Sequence, residues 1–445
     1  MNRRKFIKKA SLLTAGTLAA PYILPSGRLF AATGSRKVNH VIFVLFAGGI
    51  RNQESVKKQY LANQGLPTEG NVMPNILSGA EPGANLVYQP WNPVLSNPLQ
   101  KSATLFPEMR YKQGPTGHYN GHTVAMTGNY TETGLNLNIK PEYPTVFEYY
   151  RKHSDPARSA LNAWWMSEGL GPYPSLNYSR HPDYGSLYGA NYMRPATTIG
   201  NLGQEYLSTA KDYQPDDVSR INMLRNFLDS NFANQSGPVS GIANNDEDRE
   251  RIRSFVKGLL SGSNPIEWPT PTGSAQGLTG DLINIGAAWK VMEEFQPELM
   301  VINTFNLDVC HSNFSQYINF LHRADHGVGW LWNKIQGPEG AALGLKDDTV
   351  MILMPEHGRN LDPNNVSDNN GLSAYDHTSD ANSRQIFSLI AGPPSVIRQN
   401  EVIGAGSVPV GESIDIIPTI AELLGFRDQI PSGMLPGRVL HEAMV

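Results

Sequence analysis

The stretch "HVIFVLFAGG", from His40 to Gly49, is an unbroken apolar run closed by two glycines. A strand without polar alternation must be covered on both faces, the condition of an interior strand in a parallel sheet. Similar runs follow at "NAWWMSEG", "LMVINTF", "DTVMILMPEHG" and "IFSLIAGP". Between them, "DLINIGAAWKVMEEF" and "SQYINFLHRADHGVGWLWNKI" place apolar residues at helical spacing, and "SIDIIPTIAELLGF" combines a Ser start with a Gly stop. Strands alternating with helices predict an α/β fold, a mostly parallel central sheet sandwiched by helices. Reactive groups in such sheets gather on loops beyond the carboxyl ends of the strands.

The pattern runs from about residue 38 to 445 as one domain with a middle insertion at about 169–277. There "GPYPSLNYSRHPDYGSLYGANYMRP" is rich in Tyr, Pro and Asn, and "ANNDEDRERIRSFVKGLLSG" reads as a capped, charged helix. We expect this region to elaborate the strand ends, its tyrosines serving as a structural cap or as a stacking surface for a sugar or aryl group. The single cysteine, Cys310, excludes an intrachain disulfide and a cysteine-based zinc cluster.

The N-terminus has the look of an export signal. "NRRKFIKK" pairs Arg3 with Arg4, "ASLLTAGTLAAPYIL" supplies an apolar run, and "RLFAAT" offers small residues for cleavage near Ala31. Residues 1–31 resemble a twin-arginine signal, which implies the Tat export machinery as a partner and a periplasmic or secreted destination. Six of the 36 basic residues and none of the 40 acidic ones fall in that leader, so the remainder carries 30 bases against 40 acids, a net charge of −10. A surface of that sign disfavours nucleic acid. No later run has the eighteen or so apolar residues that span a bilayer.

Four segments carry residues suited to chemistry. They are "AGGIR" (Ala47–Arg51), "HYNGHTVAMTGNY" (His118–Tyr130), "FNLDVCHSNF" followed by "MPEHGR", and "YDHTSD" ahead of "IFSLIAGP". In this order and spacing they resemble the alkaline-phosphatase-like superfamily, which includes sulfatases, phosphodiesterases and phosphonate hydrolases. The resemblance implies one or two divalent cations, zinc above other metals for a mixed imidazole and carboxylate set. Their ligands would be Asp308, His311, Glu356, His357 and His377. The family spaces its Asp and His by four, a place held here by Ser312, so His311 fits only with a local slip. Glu356 stands where the family writes Asp.

Two positions depart from that pattern. The first strand of the family ends on a metal-binding Asp, and this chain has Ala47. The family's nucleophile precedes the Thr-Gly pair by nine residues, and counting back from Thr127 reaches His118. His118 is open to three roles: metal ligand, general base, or nucleophile. Thr116 and Thr123 are nearby hydroxyls, and His122 is expected in the pocket beside it. Arg51, Thr123 and Arg359 are candidates for an anionic substrate. "CHSNF" lacks the Cys-x-Pro-x-Arg pattern, which excludes a formylglycine sulfatase.

The function expected is an exported, metal-dependent hydrolase of phosphoric, phosphonic or sulfuric esters, small-molecule or glycan. The alternatives are a non-catalytic binding or assembly protein on the same frame, and a phosphomutase or transferase.

Overall fold

The computed structural model describes residues 36–445 except 67–68, 132–138, 155–157, 169–175, 200–241, 243, 379 and 405–407, together with the strand pair Tyr22–Ile23 and Leu29–Phe30. The expected signal over 1–31 lies largely outside the described residues, as does much of the insertion at 169–277.

The strands of the main sheet are β1 (His40–Phe46), β2 (Ala103–Arg110), β3 (Ala163–Met166), β4 (Asn191–Met193), β5 (Leu299–Asn303), β6 (Thr349–Pro355), β7 (Gln385–Ala391) and β8 (Glu401–Val402). They lie in the order β8-β2-β7-β6-β1-β5-β3-β4. β1 is parallel to both neighbours, and β7 runs antiparallel to β6 and to β2. The mostly parallel α/β sheet expected from the apolar runs is therefore what forms.

Every residue of β1 is buried, and its side chains divide by the period of two that a strand imposes. Ile42, Val44 and Phe46 enter one core, with residues of α4 (Gly280–Phe295) and α5 (Phe314–Gln336). Val41, Phe43 and Leu45 enter the other, with residues of α1 (His118–Thr127), α2 (Val146–His153) and α6 (Ile416–Leu423).

Two elements differ from expectation. β2 is not among the runs that read as strands, and it contains Pro107, which cannot donate to a sheet ladder. The strand tolerates it because the register shifts between Phe106 and Met109, and β8 pairs only with Thr104 and Leu105. The insertion also does more than decorate the strand ends. Its Asn191–Met193 is β4, an edge strand parallel to β3. In α3 (Asp246–Ser261), Ile252, Phe255, Val256 and Leu259 join the core of α4 and α5. Apolar residues at helical spacing seek a sheet face, and Trp164 and Met166 of β3 lie in that same core.

β7 has a direct consequence for function. Because it runs against its neighbours, its first residue lies at the rim where β1, β5 and β6 end. The loop that leads into β7, bearing His377, is thus delivered to the carboxyl edge of the parallel strands.

Candidate metal centre

The backbone at the end of β1 sets the closeness of the site. Gly48 and Gly49 have φ of +94° and +75°, a region that L side chains avoid. A Cβ on Gly48 would come 2.4 Å from the Asp308 backbone nitrogen, and one on Gly49 would come 2.5 Å from His357 Nδ1. The glycine pair lets the loops after β5 and β6 close over the end of β1.

The loop after β5 is a 3-10 helix, Asn306–His311. Three residues per turn place i and i+3 on one side, so His311 rather than Ser312 meets Asp308. His311 Nε2 lies 3.1 Å from Asp308 Oδ1. The expected slip thus has a physical cause. Buried Asp281 anchors the start of this loop, accepting from the Phe305 backbone at 2.7 Å and the Asn306 backbone at 3.2 Å.

His118 opens α1 directly after its N-cap, Gly117. Its imidazole lies between two carboxylates, with Nδ1 2.7 Å from Glu356 Oε1 and Nε2 3.0 Å from Asp308 Oδ1. Glu356, directly after β6, also accepts the Gly48 N–H at 2.6 Å. Its second oxygen rests against His122, whose Nδ1 is 2.8 Å from the His118 carbonyl. His357 follows, its Nε2 3.3 Å from His118 Nδ1 and its Nδ1 2.7 Å from the Gly358 carbonyl. His377 completes the group: its ring stacks on His357 at 4.2 Å between centroids and lies 4.5 Å from that of His118.

Charge in the cluster follows from these contacts. Burial alone would lower the His118 pKa, but Glu356 and Asp308 outweigh it and push it up to about 9. Burial would raise Asp308, yet its hydrogen bonds from His118 and His311 and the charge of Arg359 hold it well below the usual carboxylate range. Glu356 is likewise held low against burial, by His122, His118 and His357. Burial is the main cause that lowers His357 and His377, so both rings are neutral at pH 7 with lone pairs to offer. Without a metal, the centre is an imidazolium between two carboxylates beside two neutral imidazoles.

The donor set fits a divalent cation. One ligand atom from each of His118, Asp308, His311 and His377 falls within 4.8 Å of the others, as do atoms of His118, Glu356 and His357. Contacts of 3.0 and 3.1 Å from Asp308 to the two imidazoles approach the edge of about 3.3 Å implied by tetrahedral zinc with bonds near 2.0–2.1 Å. Neutral imidazole with ionised carboxylate is the chemistry such ions select.

The three expected substrate residues have partners or places of their own in the structure. Arg51 is buried, bonded to Glu54 at 2.5 Å and lying 3.7 Å over the Tyr375 ring. Burial would lower its pKa, but Glu54 raises it, so the guanidinium keeps its charge for an internal pair and presents none to an anion. Arg359 is fully buried; it donates to Asp308 Oδ1 at 2.9 Å and to the Tyr375 carbonyl at 2.8 Å, which makes it a brace for Asp308. Thr123 lines a separate cavity of about 280 Å³ with Tyr119 and Tyr130. Thr116, the other hydroxyl near the loop, donates to the His377 carbonyl.

Asp376, adjacent to His377, was not foreseen. It receives His311 Nδ1, and Asn364 Nδ2 ties it at 3.0 Å. The acids flanking the histidine in "YDHTSD" were the available signal.

No family model matches the chain, and no curated protein matches it. Among solved structures, an alkaline phosphatase superfamily protein from Vibrio parahaemolyticus overlaps 100% of this chain and 80% of its own, at 12% identity and a TM-score of 0.44. The wild-type alkaline phosphatase PafA overlaps 92% and 99%, at 11% and 0.46. The phosphonate monoester hydrolase SpPMH from Silicibacter pomeroyi overlaps 91% and 76%, at 14% and 0.41. Overlaps this loose transfer no activity, substrate or residue role to this chain.

Proposed function

We propose that the protein is an exported, metal-dependent hydrolase of phosphoric, phosphonic or sulfuric esters, with zinc the preferred cation. The observation that carries the reading is the convergence of His118, Asp308, His311 and His377 from three separate segments on one rim, with mutual distances suited to a cation. Asp308, His311, His377 and a neutral His118 would hold it, and water or ester would enter as a fifth ligand from the exposed side of Asp308 and His311. A divalent cation in that position would neutralise the ester's oxygens and activate water.

The chain's own groups divide the remaining work. The tip of the loop carries an imidazole in place of a hydroxyl or thiol, and both of its nitrogens face carboxylates. The attacking group is therefore water, with direct transfer and no ester to the protein. The first turn of α1 directs its amide dipoles towards the rim, a field that favours an anionic group. Arg359 braces Asp308 through its guanidinium, and Asp376 fixes the ring of His311.

The test is hydrolysis of aryl phosphate, phosphonate and sulfate esters by the zinc-loaded protein. We expect turnover of at least one, lost on chelation, restored by zinc and absent in His377→Ala. No turnover across the panel would overturn the hydrolase reading and leave the binding or assembly role, which Ala47 and His118 together favour. Export is read separately by fusing residues 1–31 to a folded reporter: Arg3→Lys with Arg4→Lys should retain it in the cytoplasm.

A further inference from the structure

Resting on that reading and deepening it, we propose that the centre takes one cation and that Glu356 is not among its ligands. The Glu356 carboxylate instead holds His118 so that its Nε2 joins Asp308, His311 and His377.

The argument lies in which nitrogen of each ring is already engaged. His377 Nδ1 is 2.5 Å from the Thr116 carbonyl, His311 Nδ1 meets Asp376 Oδ1, and His118 Nδ1 is 2.7 Å from Glu356 Oε1. Carbonyl and carboxylate oxygens only accept, so with a cation bound each neutral ring would keep its proton on Nδ1 and turn its Nε2 lone pair to the metal, in place of the protons that His118 and His311 donate to Asp308 in its absence. Two of those Nε2 atoms, on His118 and His311, face Asp308 Oδ1 at 3.0 and 3.1 Å. His377 brings the fourth ligand atom into the same group. An outer acceptor on the far nitrogen is how metal-binding histidines fix tautomer and ring direction.

The second set, His118 with Glu356 and His357, cannot be filled at the same time by a neutral His118. It requires a lone pair on His118 Nδ1, the nitrogen whose proton Glu356 accepts. His357 Nε2 faces that same nitrogen at 3.3 Å, as a second acceptor. Glu356 Oε1 is further occupied by the Gly48 N–H. The residue at the end of β1 that might have supplied another oxygen is Ala47.

Access separates the two sets as well. The side chains of Glu356 and His357 are 0% exposed, whereas those of Asp308 and His311 are 28% and 35% exposed. A cation and an ester reach the first set from solvent. The second set is a buried anchor behind it.

Titration of the EDTA-stripped full chain with Zn²⁺, read by calorimetry and by elemental analysis after dialysis, measures the stoichiometry. Co²⁺ adds a spectroscopic readout through its visible bands, which report coordination geometry. We expect one ion per chain. Glu356→Gln keeps an acceptor for His118 Nδ1 and should still bind one ion, with affinity lowered about 10–100-fold and an altered Co²⁺ spectrum. Glu356→Ala should bind more weakly than Glu356→Gln, and His377→Ala should bind none. Two ions per wild-type chain would overturn the proposal, whether or not the variants fold. So would a folded Glu356→Gln that binds as little as His377→Ala. A wild-type count of zero would remove the metal centre and the hydrolase reading with it, whereas a count of two would sink only the single-ion assignment.

Discussion

Replacing Arg359 with Met separates a brace from a substrate contact. The guanidinium is fully buried and donates to Asp308 Oδ1 at 2.9 Å, to the Tyr375 carbonyl at 2.8 Å and to the Leu307 carbonyl at 3.3 Å. Met has similar length and no donor, so the change leaves one carboxylate and two carbonyls short of a partner. Removing one member of a buried ion pair costs about 3–5 kcal/mol. The side chain of Asp308 is 28% exposed, so water recovers part of its solvation and the lower end, about 3 kcal/mol, applies. Urea unfolding with fluorescence detection reads this as a lower midpoint at unchanged slope. Arg359→Lys should recover only part of the loss, since one ammonium cannot reproduce the fork. A loss below about 1 kcal/mol, within the range of ordinary surface substitutions and small perturbations, would refute the bracing role. Loss of anion binding at wild-type stability would return Arg359 to the substrate.

Further outcomes follow from the same contacts. The folded His118 pKa of about 9 lies above the ordinary 6.5, so the stability from its protonation is complete below about pH 6.5 and lost as pH rises through about 9. Urea midpoints of EDTA-stripped protein should fall across that window relative to His118→Gln; a constant difference between the two would contradict the imidazolium assignment. Gly49→Ala places a Cβ 2.5 Å from His357 Nδ1 at a φ of +75°, and should cost about 2–4 kcal/mol from backbone strain and overpacking together. Its unfolding midpoint measures this, and a neutral effect would mean that the β1 loop is not held as described.

The strands that lie deep in the sheet were legible because burial on both faces leaves an apolar run without alternation, as in β1 and β6. β2 was not, since Pro107 interrupts its apolar pattern and is accommodated only by the register shift beside it. The sheet role of β4 was hidden in a Tyr- and Pro-rich stretch, because an edge strand of three residues has too little pattern to show.

Within the site, residue order pointed to His118, Asp308, Glu356, His357 and His377, and their segments do meet. His311 was expected over Ser312 at the cost of a slip in spacing, and the 3-10 turn supplies the reason, because an α-helical turn would have favoured neither. Asp376 escaped notice because an acid beside a histidine means nothing until the ring's direction is known. The Arg51–Glu54 pair was not read from the sequence, although Glu54 stands three residues on, a spacing at which side chains pair. Folding buried that pair, and no composition or motif distinguishes a buried pair from a surface one.

The central claim is that separate loops build a cation site at the carboxyl edge of the sheet. Crystals grown with zinc and measured on both sides of its absorption edge test it most directly. The account predicts one anomalous peak per chain, about 2.0–2.2 Å from His118 Nε2, Asp308, His311 Nε2 and His377 Nε2. No peak at that position, or a peak held by Glu356 and His357 instead, would contradict it.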